Sequence, residues 1–229
     1  MKNICQAFSF LFFALLLMNC TRNPPEIQGK LWQLNVFNDI ERDIVYERLS
    51  FFIRAYDEDG FDDIDKIFIV NDNKELFWEV SHTLWYEANW EGETWIGSNS
   101  IFMNDFSNFP RGEYRIILQD IGGESVESYF LLDSVEMEYI EIKFPEPEVK
   151  DEIINIAGEA EVYSLWIYDR KWDLISTPQQ VTKNGFSIKS IIYRYKELSK
   201  GFYYYIYVFA NSLNRGLLSG PYFYYLRAN

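Results

Sequence analysis

The sequence predicts an all-β chain built as two copies of one plan. Three observations carry that expectation. Past the first twenty residues, no apolar periodicity is long enough for a helix of four turns. Apolar residues instead alternate or run in short blocks closed by Gly, Asn, Asp and Pro, which is how strands and turns are written. The pattern of the first half then returns in the second at a period of about 90 residues, as two domains of one topology would show. Aromatic residues make up 19% of the chain, a level that suits strands better than helices.

The first element is a leader. Lys2 precedes an apolar stretch that ends in Leu15-Leu16-Leu17-Met18-Asn19-Cys20. A basic start, an apolar run and a processing point make a secretory signal peptide, too short for a comfortable membrane span of ~20 residues. The segment resembles bacterial lipoprotein signals, with Leu17 three residues before the cut. Asn19 departs from the usual small residue, and spirochaete versions of the box are closer. The resemblance implies cleavage after residue 19, lipid on Cys20 and a place in the bacterial cell envelope, at the outer membrane ahead of the inner. The alternative is an unmodified Cys20 beside a conventional cut. Thr21-Arg22-Asn23-Pro24-Pro25 then forms a short, stiff spacer within an anchored linker over 20–26.

The strands follow in order. Leu49–Tyr56 reads as one, Lys66–Val70 as another, and Leu76–Val80 as a third after the turn Asn71-Asp72-Asn73-Lys74. Ile64-x-x-Ile67-x-Ile69-x-Asn71 is matched by Val162-x-x-Leu165-x-Ile167-x-Asp169, and Leu76 by Leu174. A glycine before a Tyr-led strand occurs at Gly112-Glu113-Tyr114 and again at Gly201-Phe202-Tyr203-Tyr204. Each is followed by a Gly-bearing turn, Gly122-Gly123 and then Asn214-Arg215-Gly216. The join falls near Ser134, giving domains over 27–133 and 134–229. Phe144-Pro145-Glu146-Pro147-Glu148 reads as a proline-broken edge strand inside the second.

Leu198-x-x-Gly201-x-x-Tyr204-x-Ile206-x-Val208-x-Ala210-Asn211, with Gly216 and Ser219, resembles the end of a fibronectin type III domain. The first copy is similar to the immunoglobulin-like domains of bacterial surface proteins. The resemblance implies two tandem β-sandwiches and no catalytic residues. Function stays open on that fold.

Charge and residue types exclude several functions. Cleavage would remove Lys2, taking the basic count from 21 to 20 against 35 acidic residues and the net charge from −14 to −15. Such a balance opposes nucleic acid, which is bound by clustered Lys and Arg, and opposes docking on anionic headgroups by charge. With Cys5 removed and Cys20 lipidated, no disulfide forms. His82 is the one histidine, which excludes His-rich zinc sites and repeated acid–base histidines. No Gly-x-Ser-x-Gly elbow or phosphate-cradling glycine loop is present.

Three constellations remain. The run Asp57-Glu58-Asp59-Gly60-Phe61-Asp62-Asp63-Ile64-Asp65 offers Asp57, Asp59, Asp62, Asp63 and Asp65 as calcium ligands. It fails as an EF-hand, because Phe68 holds the twelfth position. A solvated turn with local Asp-to-backbone bonds is the other reading, and the one favoured. Trp78, Trp85, Trp90 and Trp95 read mainly as core and cross-strand pairs, with Trp90 and Trp95 flanking the turn Glu91-Gly92-Glu93-Thr94. In Phe202–Ala210, inward Tyr204, Ile206, Val208 and Ala210 put Tyr203, Tyr205, Tyr207 and Phe209 outward. Trp166 and Tyr168 join that face if their strand has matching parity. The stripe is either a contact surface or is covered by the first domain or a loop.

The reading is a membrane-anchored, non-catalytic binding module for an envelope protein or an extracellular ligand, with no cofactor beyond calcium in the acidic loop. Glycan recognition through aromatics is the alternative, followed by a carboxylate-dependent glycosidase or a structural spacer.

Overall fold

The structure, a computed structural model, describes residues 23–135, 139, 142–158, 160–175, 179–182, 185–210 and 213–225. Cys5 and Cys20 lie outside the described residues. The chain is all-β, with antiparallel sheets of the kind that build β-sandwiches. It separates into two compact units.

The first unit comprises the described residues up to Lys30 with Phe52–Ser98 and Glu113–Leu131. One sheet has the order β1 (Glu26–Asp39), β2 (Ile44–Tyr56), β6 (Glu93–Ile101), β5 (Tyr86–Trp90), of which β1, β2 and β6 contribute only part of their length here. The other has the order β4 (Leu76–Ser81), β3 (Ile64–Asn71), β7 (Gly112–Asp120), β8 (Ser125–Leu132). Alternation sets the core. Ile67 and Ile69 on β3 face Leu118 and Ile116 on β7, and all four are fully buried. The Asn71–Lys74 turn forms as a single 3-10 turn, with Asn71 Oδ1 accepting from Lys74 N at 3.1 Å. The β5–β6 hairpin turns on Glu91-Gly92 alone, with φ of 55° and 82°, the backbone of a two-residue type I′ loop. Trp90 therefore pairs with Glu93, and its ring meets Trp95 on the diagonal, centroids 5.9 Å apart.

The second unit comprises Leu31–Phe51, Asn99–Gly112 and Leu132–Asn229. A three-stranded sheet has the order β13 (Phe186–Ser187), β10 (Ile153–Ala157), β9 (Glu146–Lys150). Pro147 sits on β9, at the sheet's edge, where a missing N–H is tolerated. The larger sheet runs β12 (Gln179–Thr182), β11 (Val162–Tyr168), β14 (Phe202–Ala210), β15 (Arg215–Tyr224), then β1 and β2. The junction of β15 with β1 is parallel, with Asn35 opposite Gly216 through to Asp39 opposite Gly220. A short helix, α1 (Ile188–Arg194), buries Ile188 and Ile191 three residues apart on one face. The core gathers Val36, Ile154, Leu165, Ile167, Ile206 and Leu217 around Phe202 and Tyr204.

The last division, between Leu131 and Leu132, falls close to the expected join at Ser134, but Leu31–Phe51 and Asn99–Gly112 also belong to the second unit. Strands β1 and β2 have 14 and 13 residues, long for strands, and each serves the first unit with one end and the second with the other. A division by sequence alone cannot split a strand in this way.

A buried ion cluster holds the second unit. Glu47 on β2 is fully buried. Its Oε1 accepts from Arg111 Nη2 at 2.6 Å and from Arg215 Nη1 at 3.0 Å. Its Oε2 accepts from Arg111 Nη1 and from the Phe109 backbone N, both at 2.9 Å. Arg111 also donates to the carbonyls of Phe109 and Ser134, at 2.6 and 2.5 Å. Arg215 is as buried as Glu47, so neither charge is balanced by water. Glu47→Ala should cost ~3–5 kcal/mol, because it strands a buried guanidinium. Glu47→Gln should recover little of that, since it restores volume and not charge. Urea midpoints of the three proteins check both expectations.

Candidate functional site

The aromatic face of the second unit starts from β14. Burial alternates along it: Tyr204, Ile206 and Val208 are buried, while Tyr203, Tyr205 and Tyr207 are half-buried and Phe209 is exposed on the opposite side. Ala210 is half-buried. The neighbouring β11 has the matching parity, with Trp166 opposite Tyr205 and Tyr168 opposite Tyr203. The face thus carries Tyr203, Tyr205, Tyr207, Trp166 and Tyr168, with no charge among them.

Two parts of this face differ. Around Tyr205 and Tyr207 the second unit covers itself. Phe37, on β1, lies 6.0 Å from the Tyr205 ring, and Tyr168 meets Tyr205 edge-on at 5.6 Å. The Tyr207 hydroxyl accepts from Gln33 Nε2 at 2.7 Å. Two glycines on β15 make room for the rings. A Cβ on Gly220 would fall 2.8 Å from the Tyr205 ring, and one on Gly216 would fall 2.5 Å from the Tyr207 ring. Burial, aided by the neighbouring Tyr168 hydroxyl, pushes the Tyr205 phenol up to about 12. Burial raises Tyr207 as well, opposed by the Gln33 hydrogen bond.

Around Tyr203 the face opens. Trp172 stacks on Tyr203, ring centres 4.2 Å apart and planes within 15°. The ring of Phe223, opposite Tyr203 on β15, lies 4.7 Å from that of Tyr203, and the Tyr225 ring lies 6.1 Å from that of Phe223. Trp172, Phe223 and Tyr225 are 44%, 42% and 66% exposed. Trp172 is set by the turn after β11. Asp169 Oδ1 accepts from Lys171 N at 2.7 Å and Asp173 N at 3.0 Å, and Trp172 takes a left-handed φ of 70°. A bulky residue in that region is rare and strained. Trp172, Phe223 and Tyr225 were not legible as site residues. Asp169 followed by Trp172 is only a turn signal in sequence, and nothing local ties either to β14.

The acidic run connects β2 to β3 through one 3-10 turn, Phe61–Asp63, entered at Gly60 with φ 119°. One carboxylate oxygen from each of Asp57, Asp59 and Asp63 lies within 4.8 Å of the others. Asp62 is exposed and Asp65 sits on β3; neither belongs to this group. Asp57 is buried, and its Oδ1 accepts from Asp59 N at 2.8 Å. Burial raises the Asp57 carboxyl above its ordinary value, and Asp59, Asp63 and Asp120 add to the rise. Of the other singled-out aromatics, Trp78 packs near Tyr114 at 6.3 Å, and exposed His82 meets Trp85 edge-on at 5.5 Å. No protein-family model matches the chain, and no curated protein matches it.

Two expectations follow from the aromatic face. Trp172→Gly should stay within about 1 kcal/mol of the parent protein, because relief of left-handed strain (~1–2 kcal/mol) offsets the lost ring pair (~0.5–1.5 kcal/mol). Trp172→Ala keeps most of the strain, loses the stack and should unfold at lower urea. The raised phenols set an alkaline limit. Each holds its proton longer in the folded than in the unfolded chain, whose tyrosines titrate near ~10. Their contribution is therefore complete below pH ~10 and falls as pH rises from there through about 12. Denaturant midpoints at successive pH values, read beside tyrosinate absorbance, check the sign.

Proposed function

We propose that this chain is an exported lipoprotein, anchored in the bacterial envelope by lipid on Cys20, that works as a non-catalytic binding module. The observation that carries the binding part is the open aromatic run Trp172–Tyr203–Phe223–Tyr225. Interface centres are rich in aromatics and poor in charge, and this face has both properties on a chain of net charge −14. The rings are preset by stacking and by the Asp169 turn, so little side-chain freedom remains to be lost on association. A protein partner fits these properties best. Sugar stacking on the exposed rings is the second reading, supported by the exposed Trp172 indole.

The strand orders support a finer assignment of fold. β1-β2-β6-β5 over β4-β3-β7-β8 is the order of an immunoglobulin-like sandwich. A three-stranded sheet β13-β10-β9 with β12-β11-β14-β15 fits a fibronectin III-like one.

A photo-crosslinking residue placed at Phe223, in the native envelope, should give one discrete adduct, and Trp172→Ala should weaken it. The same residue at exposed Leu84 serves as the comparison. Equal labelling from both positions, or none from Phe223, rejects the protein-binding reading, and a glycan array then tests the second. For the anchor, Cys20→Ala should release the protein from membranes, since each buried acyl CH₂ contributes ~0.8 kcal/mol. Unchanged cleavage and membrane partition of that variant reject lipidation.

A further inference from the structure

The two ends of the first unit's β3–β7 pair bring a fourth carboxylate to the acidic loop. Ile64, at the start of β3, is opposite Asp120, at the end of β7. Ile121 N donates to the Asp63 carbonyl at 2.7 Å, tying the turn after β7 to the loop. Asp120 is fully buried. Its Oδ1 accepts from Glu124 N at 2.8 Å, but its Oδ2 is buried and accepts no hydrogen bond among the described residues. Asp57 Oδ2 is in the same condition. Asp57 is 6% exposed and Asp120 1% exposed, and the Asp120 charge adds to the rise of the Asp57 carboxyl.

Buried carboxylate oxygens without donors are costly, and grouping them makes each ionisation harder. No Lys or Arg forms an ion pair with Asp57, Asp59, Asp63 or Asp120 among the described ion pairs. A cation removes both costs. Two oxygens bound to one calcium at about 2.4 Å stand at most ~4.8 Å apart, which is the spread of the Asp57, Asp59 and Asp63 oxygens. We infer that Asp57, Asp59 and Asp63 hold one calcium ion, with the buried Asp120 carboxylate adding its charge from beside the site. The donors are all oxygen, which suits a hard cation and not zinc or copper. Calcium fits ahead of magnesium because it accepts irregular carboxylate cages, whereas magnesium demands near-ideal octahedral geometry and keeps its waters. The inference is independent of the aromatic face and of the lipid anchor.

The test uses the full chain, freed of metal with chelator, and calcium chloride alone as the probe. Titration calorimetry should give one site with Kd on the order of 10⁻⁴–10⁻³ M, the range of extracellular modules. Millimolar calcium should raise the melting temperature, and magnesium should raise it less. Asp57→Asn should weaken binding tenfold or more, and Asp120→Asn, which removes a neighbouring charge and no ligand, should weaken it less. In chelator both should melt no lower than the parent protein, since each removes a buried charge and keeps the shape; that result separates lost binding from lost folding. Asp62→Asn, at an exposed position outside the group, should bind as the parent does. No calcium-dependent shift in the parent overturns the inference. So does full binding by Asp57→Asn, or an equal loss in Asp62→Asn, which would mean diffuse attraction to an acidic loop.

Discussion

Glu47 is the constraint on which the second unit depends. One buried carboxylate accepts four hydrogen bonds, from two guanidiniums and a backbone N–H, and joins β2 to β15 and to the segment Phe109–Arg111. Arg215, its fully buried partner, opens β15 and immediately precedes Gly216, whose missing Cβ lets Asn35 and Gln33 of β1 come close. The parallel register of β15 on β1 follows from that approach. Once β1 lies there, Phe37 reaches Tyr205 and Gln33 reaches Tyr207. The aromatic face is thus shaped at one remove by an ion cluster that shares no residue with it.

The same chain treats its buried carboxylates in two opposite ways. Glu47 has two cations and a backbone donor. Asp57 and Asp120 have one backbone donor each and an oxygen with none. A structural acid is neutralised by the fold itself, because leaving it charged and alone costs several kcal/mol. Among the described ion pairs Asp57 and Asp120 have no cation, which is the ground for assigning them an outside countercharge.

The aromatic strand shows how a surface can be partly spent on the fold. Both parities of β14 are aromatic or aliphatic, and one parity alone builds the core. On the other, Tyr205 and Tyr207 are consumed by packing and a hydrogen bond within their own unit. Tyr203 instead props Trp172 and Phe223 open to solvent. The exposed aromatic surface is therefore displaced toward one end of the strand, to Trp172 in the turn after β11 and Phe223 on β15.

Much of this was legible in the residues. The alternation in β3, β7, β11 and β14 follows from period-two patterning against one buried face, which is local information. So are the turns at Asn71–Lys74 and Glu91-Gly92, set by backbone preferences of a few residues. The parity of Trp166 and Tyr168 with the tyrosine stripe was only conditional until β11 and β14 were paired. Tertiary structure alone decided the rest. The parallel meeting of β1 with β15 joins residues about 180 positions apart, and parallel pairing leaves no turn to announce it. Arg215 looked like a turn residue until Glu47 paired with it. Asp120 came beside the acidic loop only because β7 ends opposite the start of β3, and Asp62 and Asp65 stand outside the group formed by Asp57, Asp59 and Asp63. Local chemistry determined which segments are strands and which way their side chains alternate. Long-range pairing determined which charges meet, because electrostatic partners are chosen by distance in space and not along the chain.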